Sequence, residues 1–201
     1  MDMPFQKDLS HLSWDQVYAR QAQRAALIGD WMDGLRIKTG DHVLEIGAGP
    51  GFVSLALAER VGPTGIVYAV DRSLDALAYL THLQDERGIR QIERIAADAA
   101  ALELPGRPVN SALITMVLHH ADDPAGILRN VGRCMPAGAP VVIGEFHPEG
   151  PCSSGPPRDH RLAPEQVEQW CVQAGLAVAD YRRQSPEHYA LFAERAVLPR
   201  A

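Results

Sequence analysis

Three carboxylates, a glycine cluster and a group of histidines stand out in this 201-residue chain because of where they fall. Glu45 lies inside the apolar run 42–46, where a carboxylate is costly unless charged or hydrogen-bonding partners offset its desolvation. It holds either a ligand or the loop that follows. That loop reads Gly47-Ala48-Gly49-Pro50-Gly51, and glycines at this spacing let backbone approach a ligand closely, having no Cβ and tolerating positive φ. Asp71 closes a second apolar run about twenty residues later, where a carboxylate can accept hydrogen bonds from both hydroxyls of a ribose. The plain alternative is a cap for the next helix. Asp98 ends a third run and suits an adenine amino group or simply a turn. His119, His120, Glu145 and His147 fall at the ends of two further runs. An imidazole can accept a proton from a hydroxyl, amine or thiol, or it can line a cofactor.

These residues need a scaffold that brings several strand ends together. Residues 13–35 repeat apolar side chains at threes and fours (Trp14, Tyr18, Ala22, Ala25, Ile28, Met32), which predicts one leading amphipathic helix with Ser13 as its N-cap. Strands are expected at 42–46, 66–70, 91–96, 111–118 and 141–145, with helices at 51–60, 74–84 and 125–134 between them. Strands spaced by helices of this length imply right-handed βαβ crossovers and a largely parallel sheet. Residues 147–163, rich in Pro, Gly and Ser, read as a loop. Residues 164–174 then read as a helix with proline in its first turn and Gly175 past its end. Strands at 177–182 and 189–195, separated by the turn 184–187, suggest an antiparallel hairpin at one sheet edge. One domain is expected, with 1–36 as a helical cap and 147–163 as a loop over the active site.

The formal charge of −6, from 25 acidic and 19 basic residues, offers no broad basic field for a phosphate backbone, so nucleic acid is not the expected partner. Cys134, Cys152 and Cys171 are odd in number and widely spaced, with no C-x-x-C pair for zinc or redox chemistry. No metal site is expected. The N-terminal residues carry acids and no long apolar stretch, and no later segment approaches a membrane span, so a soluble, cytoplasmic protein is the expectation.

In VLEIGAGPGFVSLALA, VYAVDRS, AADAAALELP, NSALITMVLHHADDP and LRNVGRCMPAGAPVVIGEF, in that order, the chain resembles the class I S-adenosylmethionine (SAM)-dependent methyltransferases. The likeness is to the small-molecule group that includes the ubiquinone and menaquinone biosynthesis enzymes, and it covers residues 40–146. It implies a Rossmann-like α/β fold with seven strands, mostly parallel, the last antiparallel, and helices on both faces. It also implies SAM as cofactor, S-adenosylhomocysteine as product and a small-molecule methyl acceptor. Gly47, Ala48, Gly49 and Gly51 would pass under the methionine portion, and Glu45 would join them among the cofactor-binding residues. Asp71 and Arg72 would lie at the ribose, Asp98 and Ala99 at adenine, and Thr115 and Met116 beside the cofactor. Tyr18 would close over the methionine carboxylate or pack as an ordinary aromatic. Asn110 departs from the acidic residue common at that position in the family, a structural or peripheral place. Leu118-His119-His120 lacks the Asn/Asp-Pro-Pro-aromatic motif of enzymes that methylate nucleic acid bases. A nicotinamide oxidoreductase would need a small residue where Phe52 stands. A noncatalytic SAM- or nucleotide-binding module stays open.

Overall fold

The computed structural model of the protein describes residues 11–104 and 106–197. The first ten residues of the expected cap, and Pro105 at the end of AADAAALELP, lie outside the described residues.

The chain forms one sheet from seven strands: β1 (His42–Ile46), β2 (Ile66–Asp71), β3 (Ile92–Ala96), β4 (Ser111–Thr115), β5 (Pro140–Phe146), β6 (Leu176–Arg183) and β7 (His188–Arg195). Their order is β3-β2-β1-β4-β5-β7-β6. β1 pairs in parallel with β2 and β4, β2 with β3, and β4 with β5. β7 runs antiparallel to both β5 and β6. The reversal between β1 and β4 opens a crevice at the carboxyl ends of the strands, where ligands of such sheets bind.

Helices cover both faces. α2 (Ala25–Leu35), α3 (Phe52–Val61) and α4 (Leu74–Arg87) pack on one face with Val43, Val67, Leu113 and Val142. α5 (Pro124–Cys134) and α6 (Pro164–Gln173) pack on the other with Leu44, Val70, Ile114 and Ile143. A strand alternates faces with a period of two, so a strand covered on both sides reads as an unbroken apolar run. In β1, Glu45 shares the face of Val43 and therefore points toward α3. In β5, Glu145 shares the face of Ile143.

Two expectations about elements need correction. The leading helix is two helices, α1 (Trp14–Ala22) and α2, broken at Gln23 and Arg24. The Ser13 cap holds, through a capping box with Gln16. The Gln23 N–H turns back to Ala19, and Arg24 leaves helical geometry at φ −97° and ψ 12°. The break also rotates the apolar stripe: Val17, Leu27, Ile28, Trp31 and Leu35 are buried, whereas Ala25 is exposed. β4 stops at Thr115 instead of 118, because Met116 takes a left-handed φ of 56° and the chain turns into a short 3-10 helix, Leu118–His120. Asn110 brackets the start of β1, its backbone N–H donating to His42 O and its side-chain oxygen accepting the His42 N–H, at 2.8 and 2.7 Å.

Candidate active site

A cavity of about 1110 Å³ lies across the carboxyl ends of the strands. One wall is the glycine loop. Gly47, Gly49 and Gly51 have φ of 73°, 55° and 91°, a region that side chains rarely adopt. A Cβ on Gly47 would lie 2.1 Å from a methyl of Val117, so the space behind the loop is already filled. The Gly47 and Ala48 N–H groups donate to Val70 O, and the Gly49 N–H donates to Asp71 Oδ2 at 2.8 Å. Asp71 Oδ1 accepts the Ser73 N–H, and Ser73, not Asp71, caps α4. The carboxylate thus braces the loop with one lone pair per oxygen and keeps acceptor capacity toward the cavity.

Of the sequence-predicted cofactor residues, Gly47, Gly49, Asp71, Arg72, Asp98, Ala99, Thr115 and Met116 line this cavity. Asp98 also caps the short 3-10 helix Ala99–Ala101 by accepting the Ala100 N–H. Ala48 and Gly51 belong to the same loop but do not line the cavity; a Cβ on Gly51 would meet Leu80. Tyr18 is turned away, packed edge-on against Phe52 and accepting a hydrogen bond from Arg87. Gln21, three residues later on α1, lines the cavity instead. Gln21 donates to Ala48 O at 3.1 Å and accepts the Phe52 N–H at 3.0 Å, tying α1 to the loop and to the start of α3. A polar residue on a surface helix gave no sign of this in the sequence.

Glu45 does not line the cavity. It is 3% exposed and accepts the Ser54 hydroxyl at 2.5 Å. Burial, helped by the nearby Asp71 carboxylate and opposed by Ser54, raises its pKa to about 7. A carboxyl raised in the folded state contributes stability that is intact below its ordinary value and is lost as the pH climbs through about 7. Glu45→Gln, which stays neutral throughout, is therefore expected to gain on the wild type by about 2 kcal/mol between pH 5 and pH 8. Urea unfolding of both proteins at the two pH values measures it. A stability difference that does not change with pH would refute the assignment.

At the other end of the cavity, β4 and β5 bring together His119, His120 and Phe146. Glu145, 0% exposed, stands behind them. Its Oε1 accepts the N–H groups of Val117, Leu118 and His119, and its Oε2 accepts the Phe146 N–H and His119 Nδ1, the last at 2.6 Å. Burial disfavours its ionised form, but the His119 imidazole and the converging donors outweigh it and bring the carboxyl below its ordinary range. An ionised carboxylate only accepts, so His119 Nδ1 donates to it, and Nε2 is the ring nitrogen that Glu145 does not engage. The His119 and His120 rings lie 4.1 Å apart. His147 is not brought to this place: it lines a separate, smaller cavity with Glu165, Glu168 and Tyr181, and its Nδ1 accepts the Glu149 N–H.

The loop after β5 contributes Cys152, Ser153, Ser154, Gly155 and Pro156 to the main cavity. Arg161 fixes it, donating to the carbonyls of His147, Ser154 and Pro156 and pairing with Glu187 at 2.5 Å. Glu187 in turn accepts the Ser153 N–H and hydroxyl. Of the other cysteines, Cys134 ends α5 and Cys171 is buried on α6, its thiol pushed up to about 12 by burial.

The methyltransferase domain family matches residues 37–194 of this chain. The chain belongs to that family. Within it, the chain is a class I, SAM-dependent type resembling the quinone-biosynthesis group. A demethylmenaquinone methyltransferase from Anoxybacillus flavithermus is 28% identical over 113 residues, which is 56% of this chain and 48% of that one. The chain spans about half the length of the curated relatives it matches. Among solved structures, a SAM-dependent methyltransferase from Aquifex aeolicus superposes with a TM-score of 0.82 at 21% identity, covering 92% of this chain and 100% of the other. The [4+2]-cyclase SpnF superposes with 0.75 at 17% identity, over 87% and 82%. These two likenesses concern the fold. SAM is the family's cofactor, and the residues present fit it: a glycine wall packed too tightly for a Cβ, two carboxylates at neighbouring strand ends and apolar walls at Ile46, Val70 and Ile127. No helix among the described residues is long and apolar enough to cross a membrane.

Proposed function

We propose that this chain transfers the methyl group of SAM to a small-molecule acceptor at the end of the cavity lined by His119, His120, Phe146 and residues 152–156. The observation that carries this reading is the single cavity joining the glycine loop and Asp71 to the Glu145-backed His119. SAM supplies a methyl group already activated on a sulfonium, so the protein's part is alignment, exclusion of water and, where the acceptor must lose a proton, a base. Asp71 holds the ribose, Asp98 and Ala99 receive adenine, and Gly47 and Gly49 take the amino-acid portion, with Arg72, Thr115 and Met116 along the same wall. His119 accepts the proton. Residues 11–36 act as a cap and 147–163 as the loop over the acceptor, within one domain. A small acceptor accords with the names of the relatives, which include a 2-phytyl-1,4-naphtoquinone methyltransferase from Nostoc punctiforme.

Incubating the protein with deuterium-labelled SAM and small-molecule extracts, and following the mass shift, identifies the acceptor. Calorimetry with SAM and S-adenosylhomocysteine tests the cofactor; binding of NAD(P) in their place would sink the reading. Asp71→Ala is expected to weaken SAM binding by about 1.5 to 3 kcal/mol, tenfold or more in Kd, from the loss of charge-assisted hydrogen bonds. An unchanged affinity would mean that the ribose lies elsewhere.

A further inference from the structure

Arg24 is a guanidinium for which the described residues provide no hydrogen-bonding acceptor. It sits at the break between α1 and α2, is partly buried, and lines the cavity with its charge 6.0 Å from the centre of the Phe146 ring. Burial lowers its pKa to about 10, against the attraction of Glu145. Glu145 attracts Arg24 but makes no hydrogen bond to it, both its oxygens being engaged by five donors from Val117, Leu118, His119 and Phe146. The contrast with Arg161 is direct. Arg161 also lies over Phe146, at 5.3 Å, yet its donors are met by Glu187 and three carbonyls. Arg20, one turn earlier on α1, lines the same cavity.

The carboxylates of the cavity lie elsewhere. Asp71, Asp75 and Asp98 follow β2 and β3. Asp122 and Asp123 precede α5, which packs on the helix after Asp98, with Asn130 donating to Ala99 O and Leu102 O. Arg20 and Arg24 thus stand on the α1–α2 side of the cavity, and none of these aspartates is among the charges that act on Arg24, which are Glu145 and Arg20. A partly desolvated guanidinium with five donors in a planar fork matches a carboxylate.

We propose that Arg24 is an anion-binding residue of the acceptor site, so that the methyl acceptor is an organic carboxylate held by Arg24 against the Phe146 ring within reach of His119. The inference rests on the methyltransferase reading above. It adds the charge class of the acceptor and the residue that selects it. A carboxylate could also come from the amino-acid end of the cofactor, and the experiment separates the two.

Protein saturated with S-adenosylhomocysteine is titrated with benzoate and salicylate, and with the neutral benzamide and salicylamide, by ligand-observed NMR. The two carboxylates should bind wild-type protein at least tenfold more tightly than the amides. R24M should bring them to the level of the amides while changing S-adenosylhomocysteine affinity less than twofold; R24Q serves in its place if R24M is unstable. Equal binding of carboxylates and amides to the wild type, or a carboxylate preference that survives in R24M, overturns the proposal. So does a loss of S-adenosylhomocysteine affinity in R24M with no change for 5′-methylthioadenosine, which lacks the amino-acid carboxylate and would place Arg24 at the cofactor. Failure of S-adenosylhomocysteine to bind wild-type protein would remove the methyltransferase reading itself, a separate result from any of these.

Discussion

Glu145→Ala is expected to lower the stability of the fold by about 3 to 5 kcal/mol, because it leaves several buried donors unpaired at about 1 to 3 kcal/mol each. The substitution deletes the acceptor for three successive N–H groups at the start of the 3-10 helix Leu118–His120, together with the partners of Phe146 N–H and His119 Nδ1. No solvent reaches the vacated position readily, since Glu145 is fully buried, so the donors are left unpaired and not merely rehydrated. The lowered pKa of Glu145 sets the pH window for the wild type. Its folded value lies below the unfolded one, so its contribution is present above the ordinary carboxylate range and is lost as the pH falls through the folded value. Urea unfolding at neutral pH reads the loss as a fall in midpoint with the slope unchanged. A midpoint within error of the wild type would show that the 117–119 turn is held by something other than this carboxylate.

Much of this arrangement was legible in the sequence because strands covered on both faces leave unbroken apolar runs, and chemistry at their ends interrupts those runs. Asp71, Asp98 and His119 were visible as such interruptions, and all three line the cavity. Glu45 and Glu145 were visible too, but the sequence did not reveal which way each carboxylate turns. Strand parity decides it: Glu45 points to α3 and Ser54, and Glu145 reaches back along β4 to the 117–119 backbone. Each is buried, and they titrate in opposite directions because one meets a single hydroxyl and the other five donors. Gln21 and Arg24 were illegible, since the run of threes and fours hid the break between α1 and α2 that aims them at the cavity. His147 misled because it follows a strand end directly, yet its backbone pairs with Glu187 and its ring turns to the outer cavity.

The likeness to SpnF, a cyclase on the same fold, shows why the chemistry must be argued from side chains. A glycine wall and two strand-end carboxylates are what a nucleoside cofactor needs for binding, and they say nothing of what is done with it. Methyl transfer needs few dedicated groups, so the distinction between a transferase and a protein that only binds SAM falls on the acceptor end. There the reading proposed above turns on an imidazole whose Nδ1 is held by a buried carboxylate.

That feature gives the second large effect. His119→Gln is expected to reduce kcat by about 10²- to 10⁴-fold, the usual contribution of a positioned general base, with SAM affinity changed by less than about twofold. The reduction should appear in kcat and kcat/KM alike, since a general base acts only as the acceptor reacts. Glu145→Gln tests the same point without touching the imidazole. An amide at this position places a donor or a weaker acceptor against Nδ1; where it donates, the proton moves to Nε2 and the base is lost although the ring stays in place. His120→Gln alters the neighbouring ring, 4.1 Å away, and leaves the Glu145 contact intact, so its effect on kcat should be much smaller. Steady-state kinetics on the identified acceptor, together with SAM calorimetry on each variant, separates the cases. If His119→Gln and Glu145→Gln both turned over at the wild-type rate, His119 would belong to the wall of the cofactor site, and the acceptor would need no proton removed by this protein.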